Sequence, residues 1–382
     1  MPSSWRHAWL CFGGHPQIRW NLRTASHGGR MGQCWGSARI GEARRHGCRY
    51  RLGRPDRGGG LARTAKVSVV IRALNEEAHI GRLLHGLGAQ TRPPDELILV
   101  DSGSTDQTVE IAKSRGCKVV NIAKHEFTFG RALNRGCEAA TGDLLLIVSA
   151  HVYPVYNDYL ERLMKPFENS DIAIAYGRQV GDHRTKYSES RVMIKWFPKE
   201  SIWDQGHPFS NNANALVRRS IWEKLRYREE LTGLEDLDFA KRAIEVGARI
   251  AYVAEAPVVH VHEESWKVLQ NRYRREAIAY KDIYPDTTFS ALQAVTLALS
   301  NIVSDCWHAL RDRKLRENVW DIARFRFAQF RGAYLGFADD GAPDAELLRR
   351  FYYPAQWVTR PQLHAPSGEI DYSMIESAGH YS

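Results

Sequence analysis

Residues 67–77 read VSVVIRALNEE, residues 96–108 read ELILVDSGSTDQT, and residues 143–151 read DLLLIVSAH. Each begins as a short, continuous apolar run and ends in a cluster of polar residues. A run with no polar alternation is buried on both faces, which is how a strand inside a parallel sheet reads. Between the runs the period changes. Ile80, Leu83, Leu84 and Leu87 share one helical face, and Thr91-Arg92-Pro93-Pro94 ends it. Thr105 or Asp106 can cap a second helix carrying Val109, Ile111 and Ala112, and Gly116 stops that helix. Residues 117–122 read as a third strand and residues 130–140 as a third helix. Strand–helix alternation of this kind specifies an α/β fold with helices on both faces of the sheet. Right-handed crossovers then bring the loops after the strands to one edge. Asn75, Asp101 to Asp106, and Ser149 to His151 are expected to converge there.

Working outward, the pattern loosens after Pro154. Residues 172–176, 214–217, 249–253 and 258–262 read as strands, and residues 234–246 as a helix stopped by Gly247. Residues 178–208 form a long stretch rich in Trp, Lys and His, expected as a loop over the site. Residues 264–338 read as a helical region and 339–382 as a poorly ordered tail. The run at 291–303 is the most apolar late stretch, but Gln293, Thr296, Ser300 and Asn301 interrupt it. It reads as a buried or an interfacial helix, and no window reaches the ~18–20 apolar residues of a membrane span.

The 382 residues are 43% hydrophobic and 25% charged, a globular composition. The net charge of +9 is unevenly placed. Residues 1–65 hold twelve Arg, no Lys and two acids, for +10, and the remainder sums to −1. The body of the chain therefore has no bulk charge to hold it on nucleic acid. The leader lacks the apolar core of a secretory signal, and is expected to be disordered or to precede the true start. Cys11, Cys34, Cys48, Cys117, Cys137 and Cys306 form no Cys-x-x-Cys pair, so reduced structural thiols in a cytoplasmic protein are expected. A dinucleotide-dependent dehydrogenase would show Gly-x-Gly-x-x-Gly after the first strand, where this chain has ALNEEAHIG.

Four features stand in order: VSVVIRALNEE, LVDSGSTDQT, VSAH and, at 233–242, GLEDLDFAKR. Over residues 66–281 this resembles the family 2 inverting glycosyltransferases, and within them the rhamnosyltransferase-like enzymes of surface polysaccharide assembly. The resemblance implies the nucleotide-sugar-binding GT-A fold, a Rossmann-like mixed sheet, over residues 66–263. It also implies a dTDP- or UDP-linked sugar donor and a saccharide or lipid-linked glycan acceptor. The function it points to is transfer with inversion in cell-surface polysaccharide biosynthesis, the alternative being an inactive nucleotide-sugar-binding relative. No nucleic acid partner is expected. The expected location is cytoplasmic, with the C-terminal helices as candidates for a peripheral contact with the inner face of the membrane.

Residue by residue, the resemblance places Asn75, Glu76, Asp101, Ser102, Gly103, Ser104, Asp106 and Ser149 against the nucleotide sugar. Asp101 has a structural alternative, capping the turn after it, and Asn75 and Asp106 can act as helix caps. The family usually carries an Asp-x-Asp-like metal motif where this chain has Ser149-Ala150-His151. A cation, Mn²⁺ or Mg²⁺, is then expected on His151 with His260 or His262, two histidines one strand period apart. Glu235 and Asp236 match the acceptor-side acids, with Asp236 as the base and Glu235 as its neighbour or substitute. The first-turn acids of a helix also suit its dipole. Residues 270–275, QNRYRR, lack the Gln-x-x-Arg-Trp of the processive members. Arg272 and Arg275 are expected on a solvated helix face or as a diphosphate clamp.

Overall fold

The computed structural model describes residues 64–339 and 369–372. Most of the leader, and most of the stretch expected as a tail, lie outside the described residues. Of that stretch, residues 369–372 pack on the domain: the Ile370 N–H donates to the Val155 carbonyl at 3.2 Å and the Tyr372 hydroxyl to the Pro154 carbonyl at 2.7 Å.

The three apolar runs become β1 (Val67–Ala73), β2 (Glu96–Asp101) and β4 (Leu144–Ser149), with β3 (Lys118–Asn121) beyond β2. All pairings among them are parallel, in the order β3-β2-β1-β4. Helices α1 (Glu77–Gly88), α2 (Thr108–Ser114) and α3 (Phe129–Ala139) are the crossovers. Alternate β1 residues serve opposite cores, as burial on both faces requires. Val67, Val69 and Ile71 meet Ile80, Leu83 and Leu87 of α1. Val70 meets Ala132, Leu133 and Cys137 of α3. Gly136 of α3 crosses so near β1 that a Cβ there would lie 2.3 Å from Val70.

The remaining strands are β5 (Val152–Pro154), β6 (Ile172–Val180), β7 (Asn214–Arg218) and β8 (Arg249–His260). They complete an eight-stranded mixed sheet, β3-β2-β1-β4-β7-β6-β8-β5. The two segments expected as separate strands at 249–253 and 258–262 are one strand, β8. Its register against β6 slips between Gly177 and Gln179, which absorbs the interruption. The short β5 pairs antiparallel with the end of β8, Val152 opposite His260. It was not anticipated, because three residues carry no period.

Helices α4 (Tyr159–Met164), α5 (Tyr187–Trp196), α6 (Arg219–Leu225) and α7 (Glu235–Glu245) follow the strands. The expected loop at 178–208 is corrected here: α5 lies inside it. Tertiary contacts hold this polar helix in place. The Ser188 hydroxyl donates to Asp305 at 2.7 Å, and Asp305 pairs with Arg326 at 2.7 Å, both fully buried. Those partners come from α9 (Ala291–Arg311) and α10 (Leu315–Ala338), which follow α8 (Trp266–Ile283). Gly332 lets α10 lie directly on α8, since a Cβ there would stand 2.3 Å from the Gln270 carbonyl oxygen. Among the described residues Cys117, Cys137 and Cys306 are unbridged. Burial pushes the Cys117 thiol up to about 11, which makes it unreactive.

Candidate active site

A cavity of about 630 Å³ opens where the carboxyl ends of β1, β2, β4 and β8 meet the start of α7 and the inner faces of α5 and α8. Of the residues assigned to the nucleotide sugar, Asn75, Glu76, Ser102 and Ser149 line it. Asp101, Gly103, Ser104 and Asp106 do not; they build the turn behind it. The Asp101 carboxylate accepts the N–H of Gly103 at 3.0 Å and of Ser104 at 3.1 Å, which realises the turn-capping alternative. Gly103 takes φ +93°, a conformation that suits glycine. Asn75, itself at φ +54°, accepts the Thr105 N–H at 2.8 Å and donates its own N–H to Ser104 Oγ at 2.9 Å. Asp106 accepts the N–H of Glu77 and of Thr108, tying the loops after β1 and β2 together.

The three histidines assigned to metal come together. His151 follows β4, His260 ends β8 and His262 lies two residues on. One ligating atom from each falls within 4.8 Å of the others. The β5–β8 pairing sets this meeting by holding the chain after His151 against His260. Each Nδ1 is already committed: His151 to Glu76 Oε1 at 2.8 Å, His260 to Gln179 Oε1 at 2.7 Å and His262 to Glu189 Oε1 at 2.8 Å. These oxygens only accept, so each ring donates from Nδ1, and Nε2 is the nitrogen a neutral ring offers to a ligand. His260 Nε2 and Glu76 Oε2 are buried without a hydrogen-bond partner.

Imidazoles oriented through one nitrogen, with a ligating atom of each within 4.8 Å of the others, match the way metal-binding histidines are held. The residues present therefore fit a divalent cation, held by His151, His260 and His262 with Glu76 alongside. An imidazole set suits Mn²⁺ better than Mg²⁺, which favours oxygen. Burial, then the charges of His262 and His151, hold His260 well below the usual imidazole value, so it stays neutral as a ligand must. Burial also opposes a proton on His151, but the Glu76 carboxylate outweighs it and raises that group.

Across the cavity, Leu234 at φ +53° turns the chain into α7 and sets Glu235 and Asp236 in its first turn. Glu235 pairs with Arg72 from the end of β1 at 3.3 Å. Asp236 accepts the N–H of Asn212 at 3.1 Å and of Leu237 at 2.8 Å. Burial, then the neighbouring Glu235 charge, outweighs those hydrogen bonds and pushes the Asp236 carboxyl up to about 7. A carboxylate tuned to neutrality at a cavity wall is suited to accept a proton.

The expectation of a solvated helix face for Arg272 is corrected. Its guanidinium is largely buried, 3.2 Å from Glu189 and 3.1 Å from Glu264. Arg275 lies with Arg72 over the Phe129 ring, the two 4.5 and 4.9 Å from its centroid. Sequence reasoning missed Arg72, Gln179 and Glu189. Arg72 is the only charge in an apolar run, a signal that was available. Gln179 and Glu189 lie where the period had faded, and nothing local marks them.

Residues 68–226 match the model of glycosyl transferase family 2. The chain is similar to the O-antigen chain rhamnosyltransferase WbaN of Salmonella anatum, 31% identical over 202 residues, 50% of this chain and 64% of that protein. It is also similar to the O-antigen chain rhamnosyltransferase RfbN of Salmonella typhimurium strain LT2, 29% identical over 222 residues, 54% of this chain and 70% of that one. The match to the first of these spans less than two thirds of its length. Among solved structures, the fold is like that of the mannosyltransferase PcManGT from Pyrobaculum calidifontis, in complex with GDP-Man and Mn²⁺. The TM-score is 0.53 at 16% identity, covering 72% of this chain and 88% of that one. The sheet and its helices are thus the GT-A fold.

Proposed function

We propose that this chain, whose residues 68–226 match the model of glycosyl transferase family 2, is a member of that family and moves one sugar from a nucleoside-diphosphate donor to an acceptor hydroxyl with inversion. The observation that carries this reading is geometric: the Glu235–Asp236 pair at the start of α7 and the cluster of His151, His260 and His262 line one cavity at the carboxyl ends of the strands. The reading assigns donor chemistry to residues 66–263 and support of the acceptor side to the helical residues 264–338. Asn75, Glu76, Ser102 and Ser149 line the donor end, with Asp101, Gly103, Ser104 and Asp106 shaping the turn behind them.

Asp236 takes the acceptor proton as the acceptor oxygen bonds to the anomeric carbon. The bond from that carbon to the diphosphate oxygen breaks on the opposite face, and the electron pair leaves with the nucleoside diphosphate. Arg72 holds Glu235 beside Asp236 and keeps the base poised. When bound at His151, His260 and His262, a divalent cation, Mn²⁺ in preference to Mg²⁺, supplies positive charge against the leaving diphosphate. Glu76, Gln179 and Glu189 orient the three imidazoles by accepting from their Nδ1 atoms.

Both named Salmonella relatives are O-antigen chain rhamnosyltransferases. That supports a deoxyhexose such as rhamnose, carried on dTDP, and a lipid-linked glycan acceptor of surface polysaccharide assembly at the cytoplasmic face of the membrane. Thermal-shift screening of dTDP-, UDP- and GDP-linked sugars, with and without Mn²⁺, identifies the donor. Transfer is then followed by NMR of the new anomeric centre. The expected product has the opposite anomeric configuration to the donor. A donor that binds but is neither hydrolysed nor transferred, with any saccharide or lipid-linked acceptor, would make this an inactive relative.

A further inference from the structure

Eleven large hydrophobic side chains are exposed among the described residues, and eight of them lie on α9 and α10. On α9 they are Leu292, Val295, Leu299, Val303, Trp307 and Leu310, with Leu292 77% and Val303 69% exposed. At about 100° per residue these six positions fall within an arc of about 120°, one continuous stripe. The opposite face, Ala294, Ala298, Asn301, Asp305 and Ala309, is buried against the body of the protein. Such a stripe on a water-soluble surface demands a partner.

Charge tells which partner. Over residues 291–310 the sole Asp, Glu, Lys or Arg is Asp305, and it is fully buried against Arg326. The stripe then ends abruptly in Arg311, Arg313, Lys314 and Arg316, all exposed. Within that stretch Asp312 accepts the Tyr187 hydroxyl at 2.7 Å, and the exposed acids Glu317 and Asp321 follow, so the four bases lead at the end of the stripe and these two acids lie beyond them. On α10, Trp320, Arg324, Phe327 and Arg331 follow at spacings of four, three and four, all exposed, so aromatic and guanidinium groups alternate along one face. Trp and Arg side chains of this kind place apolar bodies in an acyl boundary and polar ends among headgroups. Among the described residues no helix is long and apolar enough to cross a membrane. A second copy would bring the same uncharged stripe and the same basic end, whereas a phospholipid surface offers acyl chains to the stripe and phosphates to the basic end.

We propose that α9 and the start of α10 dock this protein on an anionic phospholipid surface, α9 lying in the plane of the interface with its Leu292–Leu310 stripe in the acyl boundary. The surface is carried by the helix face alone; its purpose, bringing the cavity to a lipid-linked acceptor, rests on the proposed function. The two are joined in space through α5. Lys195 on that helix bonds Asn301 of α9, while Val192, Met193 and Trp196 line the cavity.

The test is co-sedimentation of the full chain with vesicles of phosphatidylcholine, with and without phosphatidylglycerol. Partition onto the phosphatidylglycerol vesicles is expected, weakened by high salt. Leu299→Glu with Val303→Glu should abolish it. Arg313→Gln, Lys314→Gln and Arg316→Gln together should reduce it about 10²-fold, at about fivefold per basic residue near an anionic surface. All these positions are at the surface, so both variants should keep the wild-type melting temperature and donor affinity by calorimetry. The proposal is overturned if the wild type ignores anionic vesicles, or if the double Glu variant binds them as well as wild type. It is also overturned if the wild type is a dimer that the double Glu variant dissolves, with no partition onto lipid. Loss of vesicle binding with donor binding intact bears on this surface alone, and loss of donor binding on the proposed function alone.

Discussion

Replacing Asp236 by Asn changes one charge at the centre of the proposed chemistry. The carboxyl stands at about 7 in the folded chain and near ~3.9 in an unfolded one. Three units correspond to about 4 kcal/mol at most. The sign follows from proton uptake. Between pH ~4 and ~7 the folded chain holds a proton that the unfolded chain has lost, so Asp236 makes stability fall as pH rises through that window. Above ~7 the full cost of the buried charge is present. Asp236→Asn removes that cost. It should be more stable than wild type at pH 8, by up to about 4 kcal/mol in urea unfolding, and nearly unchanged below pH 4. Activity should move the other way. Turnover at saturating acceptor should fall about 10²–10⁴-fold, with donor affinity unchanged, as the proposed role of Asp236 toward the acceptor requires. In wild type, kcat/KM should drop about tenfold per pH unit below ~7. Glu235→Gln removes the like charge that helps raise the base, so its acidic limb should move to lower pH. Near wild-type turnover of Asp236→Asn would refute the assignment, and an acidic limb indifferent to Glu235→Gln would refute the coupling.

Three further outcomes are expected. Arg326→Ala strands Asp305 as an unpaired buried charge beneath α5 and should cost about 3–5 kcal/mol, read as a lower urea midpoint with the same slope. Burial alone would raise the Glu189 carboxyl, but the His262 charge and hydrogen bond, with Arg272, outweigh it and hold it at about 2. A depressed carboxyl stabilises the fold above its unfolded value of ~4.3 and loses that contribution as pH falls toward ~2, so Glu189→Gln should flatten the acid limb of a pH–stability curve by about 3 kcal/mol. Calorimetric titration of the full chain should show Mn²⁺ binding more tightly than Mg²⁺. His260→Ala should abolish that binding, and Gln179→Leu, which frees the His260 ring to turn, should weaken it about 10–100-fold; equal Mn²⁺ affinity in all three proteins removes the site.

The half of the sheet from β1 to β4 was legible because burial on both faces leaves continuous apolar runs, and crossover helices leave a 3.6-residue period between them. The convergence of Asn75, Ser102 and Ser149 at one edge follows from that alternation alone. What lay beyond local pattern was decided by contacts distant in the chain. Helix α5 carries too little apolar period to announce itself; it exists because Ser188 reaches the Asp305–Arg326 pair more than a hundred residues later. Glu189 becomes an acceptor for His262 only once that helix is in place. The histidines could be named from their order in the chain, but their meeting depends on a three-residue strand pairing with the end of β8. Asp101 was legible as a polar strand end. Its neighbours' backbone N–H groups, which only the folded turn presents, decided that its oxygens face the turn. Composition along the chain determined the sheet, because burial is a property each segment pays for locally. Tertiary structure decided the site, because a ligand set or a tuned acid is made of distances between segments, and no segment encodes those by itself.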